Sequence, residues 1–262
     1  MRVSEWVALL YFAYLALAAI VSRAPVANRV RTVVIAAICA AAVRGGATTP
    51  SSIRNWLPAV YILAGYYVAG WLFVAPAEHL EAWLMAWDRR LLGDPTTRFR
   101  AWPRVLVSGL EVIYMGCFLL VPGGFALLAA SGHADLADRY WTLVTAAEFG
   151  AFAPLSFFQT RPPWALERKP VLTDPALHEF ATNMVQTMTI RVNTFPSGHA
   201  AGSLAVAFAV LSTLPIAGSA LLLLAVGIGL GCFVCRYHYV VDVIAGAALA
   251  IVLWGAVSAF GV

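Results

Sequence analysis

Charge is scarce in these 262 residues: Asp, Glu, Lys and Arg make up 11%, against 61% apolar residues and a mean hydropathy of +0.81. That shortage excludes a water-soluble globule and points to a chain that crosses a bilayer several times. Lysine is nearly absent, with Lys169 alone, so the net charge of +4 rests on arginine. In a membrane chain this balance is no sign of nucleic-acid binding. Arginine suits a bidentate grip on phosphate, although a GC-rich genome also favours it. Cysteine is limited to Cys39, Cys117, Cys232 and Cys235, each in or beside an apolar run, where it acts as a small hydrophobe. No disulfide framework follows. Cys232, Cys235 and His238 lack a second ligand cluster, so neither a metal centre nor a cofactor is expected. No internal repeat and no low-complexity linker interrupts the chain.

What is present is a series of apolar runs of membrane-crossing length, at 4–22, 53–75, 104–130, 136–158, 197–214, 215–235 and 238–260. A shorter run, 30–45, is bracketed by Arg31 and Arg44, which can snorkel to the interfaces. The pattern predicts an all-α polytopic membrane helix bundle of about eight transmembrane helices. The first is read as retained, because its apolar stretch exceeds a signal-peptide core. Within 77–93, Leu80, Trp83, Leu84, Trp87 and Leu91 recur at helical spacing, as in a helix lying on the membrane surface; a plain loop helix fits equally. The longest polar connection, 159–196, carries Arg161, Arg168, Lys169 and Arg191. If all eight runs span, thirteen of the seventeen basic residues share one face, which the positive-inside rule assigns to the cytoplasm.

Three short segments carry candidate chemistry. In Pro196-Ser197-Gly198-His199, a serine that can cap, a glycine that admits a ligand and a histidine in the first turn open an apolar helix, whose free N–H groups favour an anion. Further on, His238 and Asp242 are four residues apart, so one helical face brings the carboxylate to the ring and fixes its tautomer. Arg236 stands two residues earlier. Arg161 follows the fifth of the eight predicted helices and precedes Pro162. Each segment alone has an ordinary structural reading as a helix cap, an interfacial edge or a helix stop. Together, at helix ends on one predicted face, they point to an enzyme that handles phosphate. Glu111 and Glu148 fall inside predicted helices, where a charge at mid-bilayer costs about 2.5 to 3.5 kcal/mol, and a structural polar contact is the favoured reading. Gly227 and Gly231 have the small-x3-small spacing of helix packing, and most of the nine tryptophans read as interfacial anchors.

These segments resemble the motifs of the type 2 phosphatidic acid phosphatase superfamily: Lys-x6-Arg-Pro, Pro-Ser-Gly-His and Ser-Arg-x5-His-x3-Asp. Arg161-Pro162, Pro196 to His199, and His238 with Asp242 are the matching residues. Pro154 stands where the first motif has lysine, and Gly231-Cys232 where the third has Ser-Arg. The string His238-Tyr239-Val240-Val241-Asp242 is similar to that of the inositol phosphorylceramide and sphingomyelin synthase branch. The resemblance implies a six-helix phosphatase-type core over 51–262, with additional membrane helices in 1–50. It implies a metal-independent lipid phosphatase acting on a lipid or polyprenyl phosphate monoester in a membrane, by analogy the bacterial cytoplasmic membrane, through a phosphohistidine. Transfer of a phosphoryl headgroup to an alcohol is the alternative, and a non-catalytic transporter a more distant one. By the same resemblance His238 is the nucleophile, Asp242 its orienting partner and His199 the acid, with Arg161, Ser197 and Gly198 on the phosphate oxygens. Arg236 and Arg191 are expected, from position alone, to replace the missing cations.

Overall fold

The computed structural model describes residues 1–167 and 175–260; Arg168 and Lys169 of the polar connection lie outside the described residues. The chain is 79% helical, with no strand among the described residues. In order the helices are α1 (Val3–Val21), α2 (Val26–Gly46), α3 (Ser51–Arg54), α4 (Leu57–Gly70), α5 (Glu78–Leu92), α6 (Pro95–Arg100) and α7 (Arg104–Met115). They continue as α8 (Cys117–Ala130), α9 (Ala137–Phe152), α10 (Pro163–Leu166), α11 (Pro175–Met188), α12 (Gly198–Leu211), α13 (Pro215–Val234) and α14 (Val240–Phe260).

Every apolar run contains a helix, but not every helix is long. By length and composition α1, α2, α13 and α14 can cross a membrane, and α7 with α8 makes a fifth span if the pair counts as one. That pair bends by 56° across Gly116, and Pro122 inside α8 removes one more backbone donor. The run 53–75 is divided into α3 and α4, and the run 136–158 ends its α-helix at Phe152. At 14 residues, α4 and α12 are each about 21 Å long, short of a hydrocarbon core of about 30 Å.

For α12 shortness has a packing reason. It is wrapped by α8, α9, α13 and α14, and its buried face is built from Gly198, Ala200, Ala201, Gly202, Ser203, Ala205 and Ala207, small enough to let backbones approach. Lipid-facing length is carried by its neighbours, whose outward residues include Ile216, Leu223 and Val252. The N-terminal helix joins this bundle through aromatic contact: Tyr11 stacks on Phe149 of α9, with ring centroids 4.1 Å apart and planes within 7°. Charge pins its start, because Glu5 takes the Arg54 guanidinium at 2.6 and 2.8 Å and also accepts from Arg2 N–H.

The helix expected over 77–93 forms as α5. Its buried face runs Glu81, Leu84, Asp88, while Trp83 and Leu91 are about half exposed. Two carboxylates point inward because each meets an arginine from a distant loop.

Candidate active site

Ser197 sits at the N-cap of α12 and its Oγ accepts from Ala200 N–H at 3.3 Å, the role its position in the sequence predicts. Its own N–H donates to the Asp242 carbonyl at 2.9 Å, which ties the start of α12 to the start of α14. The contact depends on Gly246: a Cβ there would lie 2.5 Å from the Ser197 carbonyl oxygen. Helix α13 ends at Cys235, and Arg236 takes a left-handed φ of 63°, which reverses the chain into His238 and α14. His238 N–H then donates to the Cys232 carbonyl at 2.9 Å. That bond gives a backbone role to a position where the motif would have arginine.

The three titratable groups form a line. Asp242 Oδ2 lies 3.4 Å from His238 Nδ1 and accepts from Tyr239 N–H at 3.0 Å. His238 Nε2 lies 3.2 Å from His199 Nδ1. With its hydrogen on Nδ1 facing the carboxylate, His238 turns the lone pair of Nε2 toward His199 and the space between the rings. Burial pushes the His238 pKa from the usual histidine range down to about 3, so the ring is neutral at physiological pH. Asp242 is fully buried and His238 is 4% exposed. Both histidines open onto a cavity of about 220 Å³ whose wall includes the aromatic rings of Tyr66, Tyr114, Phe118 and Phe152. Tyr114 stacks on Tyr237 at 4.3 Å, and Tyr237 O–H donates to Glu111 at 2.9 Å, the polar contact expected of that acid.

Residues 139–261, from α9 into the end of the chain, match the model of the PAP2 superfamily. This stretch is a PAP2-superfamily domain. No curated protein and no solved structure matches the chain. The PAP2 match contains all three segments singled out in the sequence, and α1 to α8 precede it. Members of the superfamily are phosphatases and phosphotransferases of phosphorylated lipids, so the chain is an integral-membrane enzyme of that type.

Not every residue assigned to phosphate by sequence reaches the cavity of the PAP2 domain. His199, His238, Gly198 and Arg191 line it, and Asp242 stands behind His238. Ser197 is buried at the cap, and Gly198 N–H donates to Thr194 Oγ1 at 3.3 Å. Arg161 is turned to Glu81, with Nε and Nη2 at 3.0 and 2.8 Å from its two oxygens, and the Arg161 backbone N–H adds a bond of 2.8 Å. The guanidinium beside it holds the Glu81 carboxyl below the usual carboxylate range. Arg236 is 3% exposed and is clamped between Asp88 at 2.8 Å and Glu167 at 2.6 Å. Asp88 also accepts from Val240 N–H at 2.9 Å, so α5 caps α14 beside the site. Opposite, Asn193 N–H donates to the Thr160 carbonyl at 2.8 Å, joining the two ends of the polar connection.

Glu81, Asp88, Glu167 and Tyr237 were missed by sequence reasoning. A signal existed for two of them: Glu81 and Asp88 are seven apart and share a helical face with Leu84. Glu148 lines the cavity itself. Gly227 and Gly231 both face α7, as packing glycines do. Among the described residues no group of three metal-ligating side chains occurs.

Proposed function

We propose that this enzyme hydrolyses a phosphate monoester of a lipid or polyprenol through a phosphohistidine on His238. The observation that carries the reading is the line Asp242, His238, His199, with spacings of 3.4 and 3.2 Å and both histidines on the cavity wall. His238 Nε2 attacks phosphorus, the bond from phosphorus to the lipid oxygen breaks, and the oxygen leaves with the electron pair and a proton from His199. Asp242 holds the cation that forms on His238. Water, deprotonated by His199, then attacks phosphorus, and inorganic phosphate leaves as the bond to nitrogen breaks. Arg191, with the first turn of α12, borders the phosphate oxygens; Arg161, held by Glu81 next to the cavity-lining Pro162, adds its charge from the edge of the site. Arg236 is the anchor of the loop before His238, through Asp88 and Glu167. Residues 51–262 form the catalytic core, with α5 on the membrane surface of what we take to be a bacterial cytoplasmic membrane, and residues 1–50 add accessory membrane helices.

A second reading has its own support. Arg161 and Arg236 are already matched to carboxylates, so the site offers less positive charge to a dianionic monoester than to the single charge of a phosphodiester. Together with the His-Tyr-x-x-Asp string, this favours transfer of a phosphoryl headgroup to an alcohol.

One experiment separates the readings. Purified wild type and His238→Ala are incubated without added metal with phosphatidic acid, phosphatidylglycerol phosphate and polyprenyl phosphate, each labelled at phosphorus. Free phosphate from the wild type alone, with label trapped on protein in alkali and lost in acid, supports hydrolysis. Label passing to an added alcohol, with no free phosphate, replaces hydrolysis by transfer. Activity that survives His238→Ala overturns both.

A further inference from the structure

We propose that Glu148 is a ligand-binding residue that acts as a neutral carboxylic acid, donating its hydrogen to a phosphate oxygen in the cavity. This rests on His238 being the group that takes the phosphoryl unit. Glu148 is 8% exposed, and that remaining surface faces the cavity it shares with both histidines. Among the described residues it has no hydrogen-bond partner and no ion pair. Every other carboxylate at the site is committed: Asp242 to His238, Glu81 to Arg161, Asp88 and Glu167 to Arg236, Glu111 to Tyr237.

The carboxyl lies against the first two turns of α12. A Cβ on Gly198 would be 3.3 Å from Oε2, and one on Gly202 would be 1.9 Å from Oε1. Glycine at both positions therefore makes room for this acid next to His199. A phosphate in line with His238 Nε2 has to occupy the same end of the cavity, so Glu148 borders its oxygens.

Ionised, Glu148 would repel that phosphate and would sit buried and unpaired. The titratable groups facing it are Tyr66 of α4, Cys117 of α8, Tyr140 of its own helix and His199 of α12, with Arg191 entering the cavity from the loop. Until a bound phosphate draws a proton onto His199, all but Arg191 are neutral, so little favours the anion. As an acid the group has one O–H donor and the protein offers it no acceptor, which leaves the ligand. A neutral donor can bind an anion without adding charge to an apolar wall, as protonated carboxylic acids do in other low-polarity sites. It lies six residues before Pro154, where the first superfamily motif would supply a lysine.

The test compares wild type, Glu148→Gln and Glu148→Ala for phosphate release from phosphatidic acid across acid and alkaline pH, and for thermal stabilisation by inorganic phosphate. Glutamine keeps a donor of the same shape, so it should retain activity within about tenfold and lose an alkaline decline that the wild type shows. Alanine should lose about a hundredfold in kcat and much of the stabilisation by phosphate, while a melting transition in phosphate-free buffer reports that it folds. Wild-type kcat in Glu148→Ala overturns the inference, and so does equal loss in both variants. A loss in Glu148→Gln confined to lipids with an amine headgroup also overturns it, by making Glu148 an anionic cation site. If the wild type neither releases phosphate nor is stabilised by it, the functional reading fails first and takes this inference with it.

Discussion

Arg161 grips Glu81 in a fork, at 3.0 and 2.8 Å, with its backbone N–H closing a third bond to the same carboxylate. The arginine that the superfamily motif assigns to phosphate is thus held by an acid from α5, a helix outside the matched stretch. Its side chain is 41% exposed, so it keeps access to a ligand while its base is held.

From this pairing comes a non-additive pair of mutants. Glu81→Gln should raise KM for a lipid phosphate several-fold by releasing the guanidinium, and Arg161→Ala should do the same by removing it. The double variant should be no worse than Arg161→Ala, because the two changes remove one interaction. Steady-state kinetics on the four proteins measures it; additive losses would mean that Glu81 acts on something else.

His238 has a pKa pushed down by burial to about 3, whereas the unfolded chain protonates its histidines near 6.5. Between those values the unfolded state binds more protons, so this residue contributes stability that is complete above about pH 6.5 and lost as pH falls toward 3. The melting temperature of the wild type should fall through that window more steeply than that of His238→Gln. The same depression keeps the proposed nucleophile neutral, so kcat/KM should show no acid limb from His238 near 6.5.

The Arg236 cluster is a buried ion group, with side-chain exposures of 4% for the arginine and 2% for Asp88. Breaking such a group by removing one partner costs about 3 to 5 kcal/mol, because a carboxylate is left uncompensated. Arg236→Met should therefore lower thermal stability markedly. Adding Glu167→Gln should recover part of the loss, since it neutralises one of the two stranded acids; a further drop would refute that account.

Gly202 faces Glu148 at a distance no Cβ tolerates. Gly202→Ala should cost about 1 to 3 kcal/mol by overpacking. In a Glu148→Ala background the same substitution should cost much less, since the colliding atoms are gone. Thermal denaturation of the two pairs decides it.

The sequence by itself determined the helical class, the membrane setting and the pairing of Asp242 with His238. All of these are local: apolar runs and a carboxylate four residues from a histidine, whereas the approach of His199, 39 residues away, belongs to the packing of helices. What the acids of α5 meet was not legible, because its tryptophans and leucines mark an apolar face for a membrane surface and say nothing of the opposite side. The structure turns Glu81 and Asp88 inward to meet arginines, an energy that periodicity does not contain. Membrane-span lengths were blurred for a similar reason, since α12 is shielded by its neighbours and needs no lipid-facing length. Only tertiary structure decided which arginines face the cavity and that Glu148 opens into it. The partners concerned lie 80 residues apart for Arg161 and Glu81, and 69 for Arg236 and Glu167. Contacts at that separation are set by how the helices pack, and hydrophobic spacing along one helix says nothing of the charge that another will bring to it.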